Sequence, residues 1–204
     1  VKTVAGDYDV GELDARVSDH LEAAAIALAE HAENRKTLVF LPLVKTSMRF
    51  AELCRDKGLS ARHIDGASDD RAATLRAFAS NEFRVLTNAS LLTEGYDCPD
   101  IDCIVILRPT QSRPLYSQMV GRGTRIHPAK TNLLILDFLW LTTKHNLCVP
   151  ASLVARDERE AGEMQATIVA GGREKDLLEA QADVASSREK KLREEIEKNQ
   201  RKAS

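Results

Sequence analysis

Five short strand-like runs, at 37–41, 61–65, 83–87, 101–107 and 133–137, most of them rich in apolar residues, recur through the middle of the chain, with helix-like segments among them. Thr37-Leu38-Val39-Phe40-Leu41 is continuous rather than alternating and is bounded by Lys36 and Pro42. That is the pattern of a parallel strand covered on both faces. Strands alternating with helices call for βαβ crossovers, so the expected class is α/β with a parallel sheet. The chain has 204 residues, 43% of them hydrophobic and 29% charged, which gives room for one such domain plus an appendage.

The helical segments follow from spacing and punctuation. Ser18 is expected to cap a helix with the stripe Leu21, Ala24, Ala25, Leu28 and Ala32. Lys45-Thr46-Ser47 follows the first strand but lacks the glycines of a phosphate loop, so it predicts a helix start capped near Thr46 or Ser47. That helix turns Phe50, Leu53 and Cys54 inward and stops at Lys57-Gly58. Ser68, with Asp69 and Asp70, opens a third helix with Leu75, Phe78 and Ala79 inward. Residues 1–17 show no sustained periodicity and are expected to be an interdomain linker or entry segment.

The chemistry concentrates in Gln118-Met119-Val120-Gly121-Arg122-Gly123-Thr124-Arg125, preceded by Pro114-Leu115-Tyr116-Ser117. Leu115, Met119 and Val120 predict a short amphipathic helix, broken by the two glycines, which permit close backbone approach. Arg122 and Arg125, three apart, can project together from its end. Such a pair suits the charge that spreads over a phosphoryl group in transfer, because guanidinium stays protonated and its planar fork matches phosphate oxygens. Two solvated arginines are the plain alternative. Upstream lies Thr93-Glu94-Gly95-Tyr96-Asp97, and the run 101–107 follows it.

Together the T-x-G-x-D and Q-x-x-G-R-x-x-R patterns resemble motifs V and VI of superfamily-two helicases and translocases, with Thr37–Leu41 at the position of motif IV. The resemblance runs from about Thr37 to Phe138, half the chain, and implies the second of that family's two RecA-like domains. It implies Arg122 and Arg125 as catalytic arginines. Gly95 and Asp97 would meet the nucleotide, Asp97 at a ribose hydroxyl, and Gln118 would orient an arginine or touch the nucleotide. Thr87 and Thr93 would contact the nucleic-acid phosphates, and Gly66 would let its loop approach that backbone. His63 reads as structural, and Arg71, Arg76 and Arg84 as either nucleic-acid-facing or simply solvated. Gln118 and Arg108-Pro109-Thr110-Gln111-Ser112 look more like DNA-directed members of phage, excision-repair and restriction type than like DEAD-box proteins.

No G-x-x-x-x-G-K-[ST] loop occurs in the chain. ATP with magnesium is therefore expected to be bound mainly by a RecA-like domain upstream, and this chain alone is expected neither to hydrolyse ATP nor to unwind. A DEAD-like RNA helicase half and a noncatalytic nucleic-acid- or protein-binding module are the alternatives. A net charge of −2 decides little, because a translocase can confine its positive charge to one groove. Without an apolar run near 18 residues no membrane association is expected, and the expected location is the cytoplasm, in a bacterial or phage-encoded protein. Cys54, Cys98, Cys103 and Cys148 fit no metal-ligand spacing and read as reduced thiols.

The expected domain ends at 150, and 151–204 is a charged helical extension interrupted at Gly171-Gly172. In it Leu178, Ala185 and Leu192 keep a thin heptad register, and Glu189–Arg193, Glu194–Lys198 and Glu197–Arg201 are i,i+4 pairs. Residues 173–204 are read as a solvated, partly frayed helix or as a contact arm for a protein partner or for another part of the same protein.

Overall fold

The computed structural model describes residues 3–4, 7–89, 92, 96–138, 148–171 and 176–203. The chain divides into two compact units, Val1–Cys148 and Val149–Ser204.

In the first unit a short antiparallel pair, β1 (Thr3–Val4) and β2 (Asp7–Tyr8), leads into helices α1 (Val10–Ser18) and α2 (Leu21–Ala32). There follow β3 (Thr37–Phe40), α3 (Val44–Asp56), β4 (Ala61–Ile64), α4 (Arg71–Ala79), β5 (Val85–Asn88), β6 (Cys103–Ile106), α5 (Arg113–Gly121) and β7 (Leu134–Asp137). The sheet has the order β4-β5-β3-β6-β7 with every pairing parallel, so it is the α/β fold the apolar runs require. β3, β5 and β6 are buried along their whole length. One face of the sheet, carrying Val39, Leu41, Val85, Cys103, Val105 and Leu107, packs under α1, α2 and α3. The alternating residues Leu38, Phe40, Leu86, Ile104 and Ile106 are equally buried and point to the opposite face, where α5 lies over β6.

Several local expectations need correction. Residues 10–17, expected as linker, are the helix α1, with Leu13 and Val17 buried in the same core as α2. Asp9 caps it by accepting from the Glu12 amide at 2.9 Å. Val10, Leu13 and Val17 make a stripe of only three residues, easily passed over among the polar and glycine residues around it. Ser18 does not cap the next helix. It closes α1, its hydroxyl donating to the Asp14 carbonyl at 2.8 Å, and α2 starts behind His20 without a side-chain cap. α3 likewise begins at Val44 with no side-chain cap, and Thr46 and Ser47 are buried inside the helix. Thr46 is held by the buried carboxylate of Asp14, which also pairs with Lys45 at 2.9 Å. Ser68 turns back to Asp65 rather than capping α4, whose buried residues are Thr74, Ala77 and Phe78; Ala79 is exposed. Gly58 does end α3 in the left-handed region, with φ of 85°.

In the second unit a 3-10 turn (Pro150–Leu153) precedes α6 (Glu158–Ala170), capped by Asp157, and α7 (Leu177–Ala203). The extension is helical as expected, with α6 and α7 on either side of the glycines, but it is not wholly solvated, because the two helices share a small core of Ala161, Met164, Ala180 and Val184. Arg188 on α7 pairs with Glu163 on α6 at 2.7 Å. The stripe passes through Ala180 and Val184, while Leu178 is 67% exposed, so the heptad register read from Leu178 was displaced. Among the described residues no helix is long and apolar enough to cross a membrane.

Candidate nucleotide and nucleic-acid interface

Helix α5 begins where its sequence says it should. Ser112 accepts from the Leu115 amide, and a proline occupies the first turn, where its missing N–H costs nothing. Tyr116, Met119 and Val120 are buried against the sheet, Leu115 is half-buried, and Gln118 is exposed. Two features outside the motif seat the start of this helix. Asp7 accepts from the Thr110 hydroxyl at 2.7 Å and from the Gln111 amide at 3.0 Å, and the Cys148 amide donates to the Thr110 carbonyl at 3.1 Å. Asp7 is more than a hundred residues from these partners, so nothing in the local sequence could have pointed to it.

The two glycines differ. A Cβ on Gly123 would lie 2.5 Å from Leu133 Cδ1 and 2.9 Å from Ile104 Cγ1, whereas one on Gly121 would meet nothing within 4 Å. Only Gly123 lets the backbone lie close upon the sheet.

Beyond α5, Arg122 Nη1 donates to the Tyr96 carbonyl at 2.7 Å. Arg125 meets Asp97 side-on, with Nε 3.2 Å from Oδ1 and Nη1 3.3 Å from Oδ2. The arginines thus contact adjacent residues of the same upstream segment, and the Arg125–Asp97 pair is solvent-accessible, with side chains 50% and 60% exposed. That upstream segment is anchored from below. Asp100 accepts from the buried ammonium of Lys36 at 2.7 Å and from the Cys98 thiol at 3.1 Å. Lys36 also donates to the Ala79 carbonyl at 3.1 Å and lies 5.0 Å over the Phe78 ring. Lys36 holds the Asp100 carboxyl below its ordinary range despite burial pushing the other way. Burial pushes the Cys98 thiol up, and those of Cys54 and Cys103 to about 12, so these thiols are unreactive packing groups.

Thr93 and Gly95 lie outside the described residues. Thr87 does not offer a phosphate contact, which corrects its expected role. It is fully buried, its hydroxyl donates to the Ser47 carbonyl at 3.0 Å, and it accepts from the Ser47 hydroxyl at 3.0 Å. The neighbouring Asn88, also buried, donates to the Val39 carbonyl and accepts from the Leu92 amide. The strand's last polar residues therefore brace the sheet and the departing loop. Gly66 sits exposed in the β4–α4 loop with open space around it. His63 is a structural residue: Nδ1 lies 2.8 Å from the Ser47 hydroxyl and Nε2 3.3 Å from Asp65, which in turn accepts from the Ala67 amide and the Ser68 hydroxyl. The chain Asp65, His63, Ser47, Thr87 ties the Gly66 loop to α3 and β5.

Among the described residues no three His, Cys, Asp or Glu side chains gather to hold a metal ion, and Asp97 is engaged with Arg125. These residues do not form a magnesium site. What they do present is two guanidiniums and one carboxylate gathered where the β5–β6 connection enters β6 and the α5–β7 connection runs on to β7, at the amino ends of those strands.

The model of the helicase conserved C-terminal domain matches residues 18–127, more than half of the chain. A 115-residue stretch is 45% identical to irc3, a candidate mitochondrial ATP-dependent helicase of Schizosaccharomyces pombe, covering 55% of this chain and 19% of that protein. A 165-residue stretch is 29% identical to IRC3, a candidate ATP-dependent helicase of Saccharomyces cerevisiae, covering 78% of this chain and 24% of that one. In fold the chain resembles a fragment of an HsdR subunit of a type I restriction enzyme from Vibrio vulnificus, with a TM-score of 0.53 and 23% identity over 63% of this chain and 28% of that one. The chain thus spans only a minor part of the length of each relative.

Proposed function

Since the chain belongs to the helicase conserved C-terminal domain family, as the C-terminal RecA-like domain of a superfamily-two helicase, we propose that it is the second motor half of an ATP-dependent, DNA-directed helicase or translocase. A first RecA-like domain, upstream in the same protein, holds ATP and magnesium. This domain closes over the nucleotide from the other side.

One observation supports the reading: Arg122 and Arg125 reach the same segment, at Tyr96 and Asp97, so the arginines lie beside a residue proposed to meet the nucleotide. On closure Arg125 exchanges part of its pairing with Asp97 for the transferring phosphoryl group, and Asp97 becomes available to a ribose hydroxyl. A carboxylate accepts from hydroxyls and repels phosphate, so the two groups sort the two ends of the nucleotide. Guanidinium charge delivered this way is worth roughly 10³–10⁵ in rate for arginine fingers. Exposed Gln118, on the helix that leads into the arginines, orients one of them or touches the nucleotide.

Nucleic acid runs over the loops at the carboxyl ends of the strands, with Thr93 and Gly66 as the contacts. Because Thr93, Gly95 and Asp97 are close in sequence, closure on ATP shifts the grip on nucleic acid, and reopening after hydrolysis advances the domain along the strand. The glutamine that heads the arginine motif supports DNA over RNA. Residues 173–204, on α7 and just before it, serve as a contact arm for a protein partner.

The test is ATP turnover by the protein carrying both motor domains, alone and with single-stranded DNA, duplex DNA or RNA, beside Arg125→Ala. Stimulation by DNA that is lost by orders of magnitude in the variant, with ATP binding retained, is the expected result. Stimulation by RNA alone would make the domain half of an RNA helicase. Turnover indifferent to Arg125 would reduce it to a binding module on this fold.

A further inference from the structure

Past the arginines the chain makes a tight turn, in which the Ala129 amide donates to His127 Nδ1 at 3.3 Å and the Lys130 amide donates to the His127 carbonyl at 3.0 Å. The turn folds the Lys130 side chain back beneath the loop it has just left. Its ammonium donates to the carbonyls of Gly123, of Arg125 at 2.8 Å and of Pro99 at 3.3 Å. An ammonium has three protons, and all three are spent on backbone oxygens. Two acceptors belong to the arginine loop and the third to the segment that carries Tyr96 and Asp97.

The acceptors are not arbitrary points on those loops. Gly123 lies so close to Leu133 and Ile104 that no Cβ fits, which fixes its carbonyl relative to the sheet. Arg125 is the arginine that faces Asp97. Pro99 adjoins Asp100, which the buried Lys36 holds. Lys130 is half-buried, and burial lowers its pKa against the pull of the Asp102 and Asp100 carboxylates nearby. A charge kept there at a desolvation cost, and satisfied by carbonyls alone, is a brace rather than a solvated surface lysine.

We propose that Lys130 is a positioning residue for nucleotide hydrolysis, its ammonium locking the Arg125 loop to the Asp97 segment so that both present to the nucleotide as one rigid surface. The inference rests on the reading of Arg125 as the catalytic arginine. Arg122 and the Arg125–Asp97 pair cannot replace this lock. The pair is exposed and must loosen when nucleotide arrives, whereas the Lys130 contacts are to backbone and persist through closure. A guanidinium does not substitute, because its planar fork cannot serve three convergent carbonyls as a compact point donor can.

The experiment compares Lys130→Met, Arg125→Ala and the double variant in the protein carrying both motor domains, reading kcat and KM for ATP with saturating DNA. Lys130→Met is expected to lower kcat about ten- to a hundredfold, the size of effect that small misplacements of a catalytic group produce, with KM for ATP little changed. In the Arg125→Ala background the same change is expected to cost nothing further, because the brace acts through the arginine. Wild-type kcat in Lys130→Met beside an impaired Arg125→Ala overturns the role of Lys130 and leaves the arginine reading standing. Multiplicative losses overturn it too. An unimpaired Arg125→Ala removes both. Should the Met variant fail to fold, Lys130→Arg keeps the charge and is run through the same cycle, with a kcat loss absent in the Arg125→Ala background as the expected result.

Discussion

Tyr116 donates its hydroxyl to Asp137 Oδ2 at 2.8 Å, tying the buried face of the arginine helix to the end of the edge strand β7. Burial raises the Asp137 carboxyl to about 7, and the Tyr116 hydrogen bond pulls it down only in part. The folded chain therefore holds a proton at Asp137 at pH values where the unfolded chain, with an aspartate near the usual 3.9, has released it. Stability from this group is complete below about pH 4 and is lost as the pH rises through about 7. The side chain is partly accessible, which keeps the effect below that of a sealed carboxyl. Thermal unfolding between pH 4 and 8 is expected to show this decline, and Asp137→Asn is expected to flatten it. Tyr116→Phe removes the contact that lowers the pKa, so the decline should move to higher pH. An unchanged pH profile in Asp137→Asn would rule out the assignment.

The glycines of the arginine motif should respond oppositely to a methyl group. At Gly123 a Cβ would fall 2.5 Å from one Leu133 methyl and 2.9 Å from Ile104 Cγ1. Gly123→Ala is expected to destabilise by about 1–3 kcal/mol, the usual cost of overpacking, and to lower ATP turnover by displacing Arg122 and Arg125. At Gly121, the last residue of α5, the added methyl meets open space. Gly121→Ala should be neutral or stabilising, by up to about 1 kcal/mol, through helix propensity and reduced unfolded-state entropy. Chemical denaturation of the two variants side by side checks both signs.

What was legible in the sequence was whatever rests on local pattern. The continuous run at Thr37–Phe40 and the capped, proline-started helix at Arg113–Gly121 are read from neighbouring residues, and both lie where expected. Elements that depend on distant partners were not legible. α1 carries only the short series Val10, Leu13 and Val17, and the sheet beneath it makes Leu13 and Val17 part of the core. Thr46 and Ser47 looked like caps because hydroxyls usually cap; here Asp14, Thr87 and His63 recruit them into a buried network instead. Lys130 had no signal, since its three acceptors are backbone oxygens that any sequence supplies.

On the roles proposed above, catalysis and stability should part at the Arg125–Asp97 pair. Both side chains are at least half exposed, and exposed ion pairs contribute only about 0–1 kcal/mol. Arg125→Ala and Asp97→Ala should therefore melt within a few degrees of the parent chain. Their kinetics should diverge. Arg125→Ala is expected to lower kcat, and Asp97→Ala to raise KM for ATP and narrow the preference for ATP over its analogue lacking ribose hydroxyls. A large loss of melting temperature in Arg125→Ala would mean that the residue is structural.

Thr87 gives the sharpest contrast between support and contact. Its hydroxyl is sealed from solvent and bonded both ways with Ser47. Thr87→Val keeps the shape but leaves the Ser47 hydroxyl and carbonyl short of a partner, an expected cost of about 1–3 kcal/mol. Thr87→Ala adds a small cavity to that cost. Because neither change touches a surface that nucleic acid can reach, DNA affinity measured well below the melting temperature should match that of the parent protein. Salt-dependent binding titrations decide the point. A Thr87→Val protein that folds normally yet binds DNA several-fold more weakly, with a shallower salt dependence, would return Thr87 to the phosphate track and require the β5 end to open in the complex.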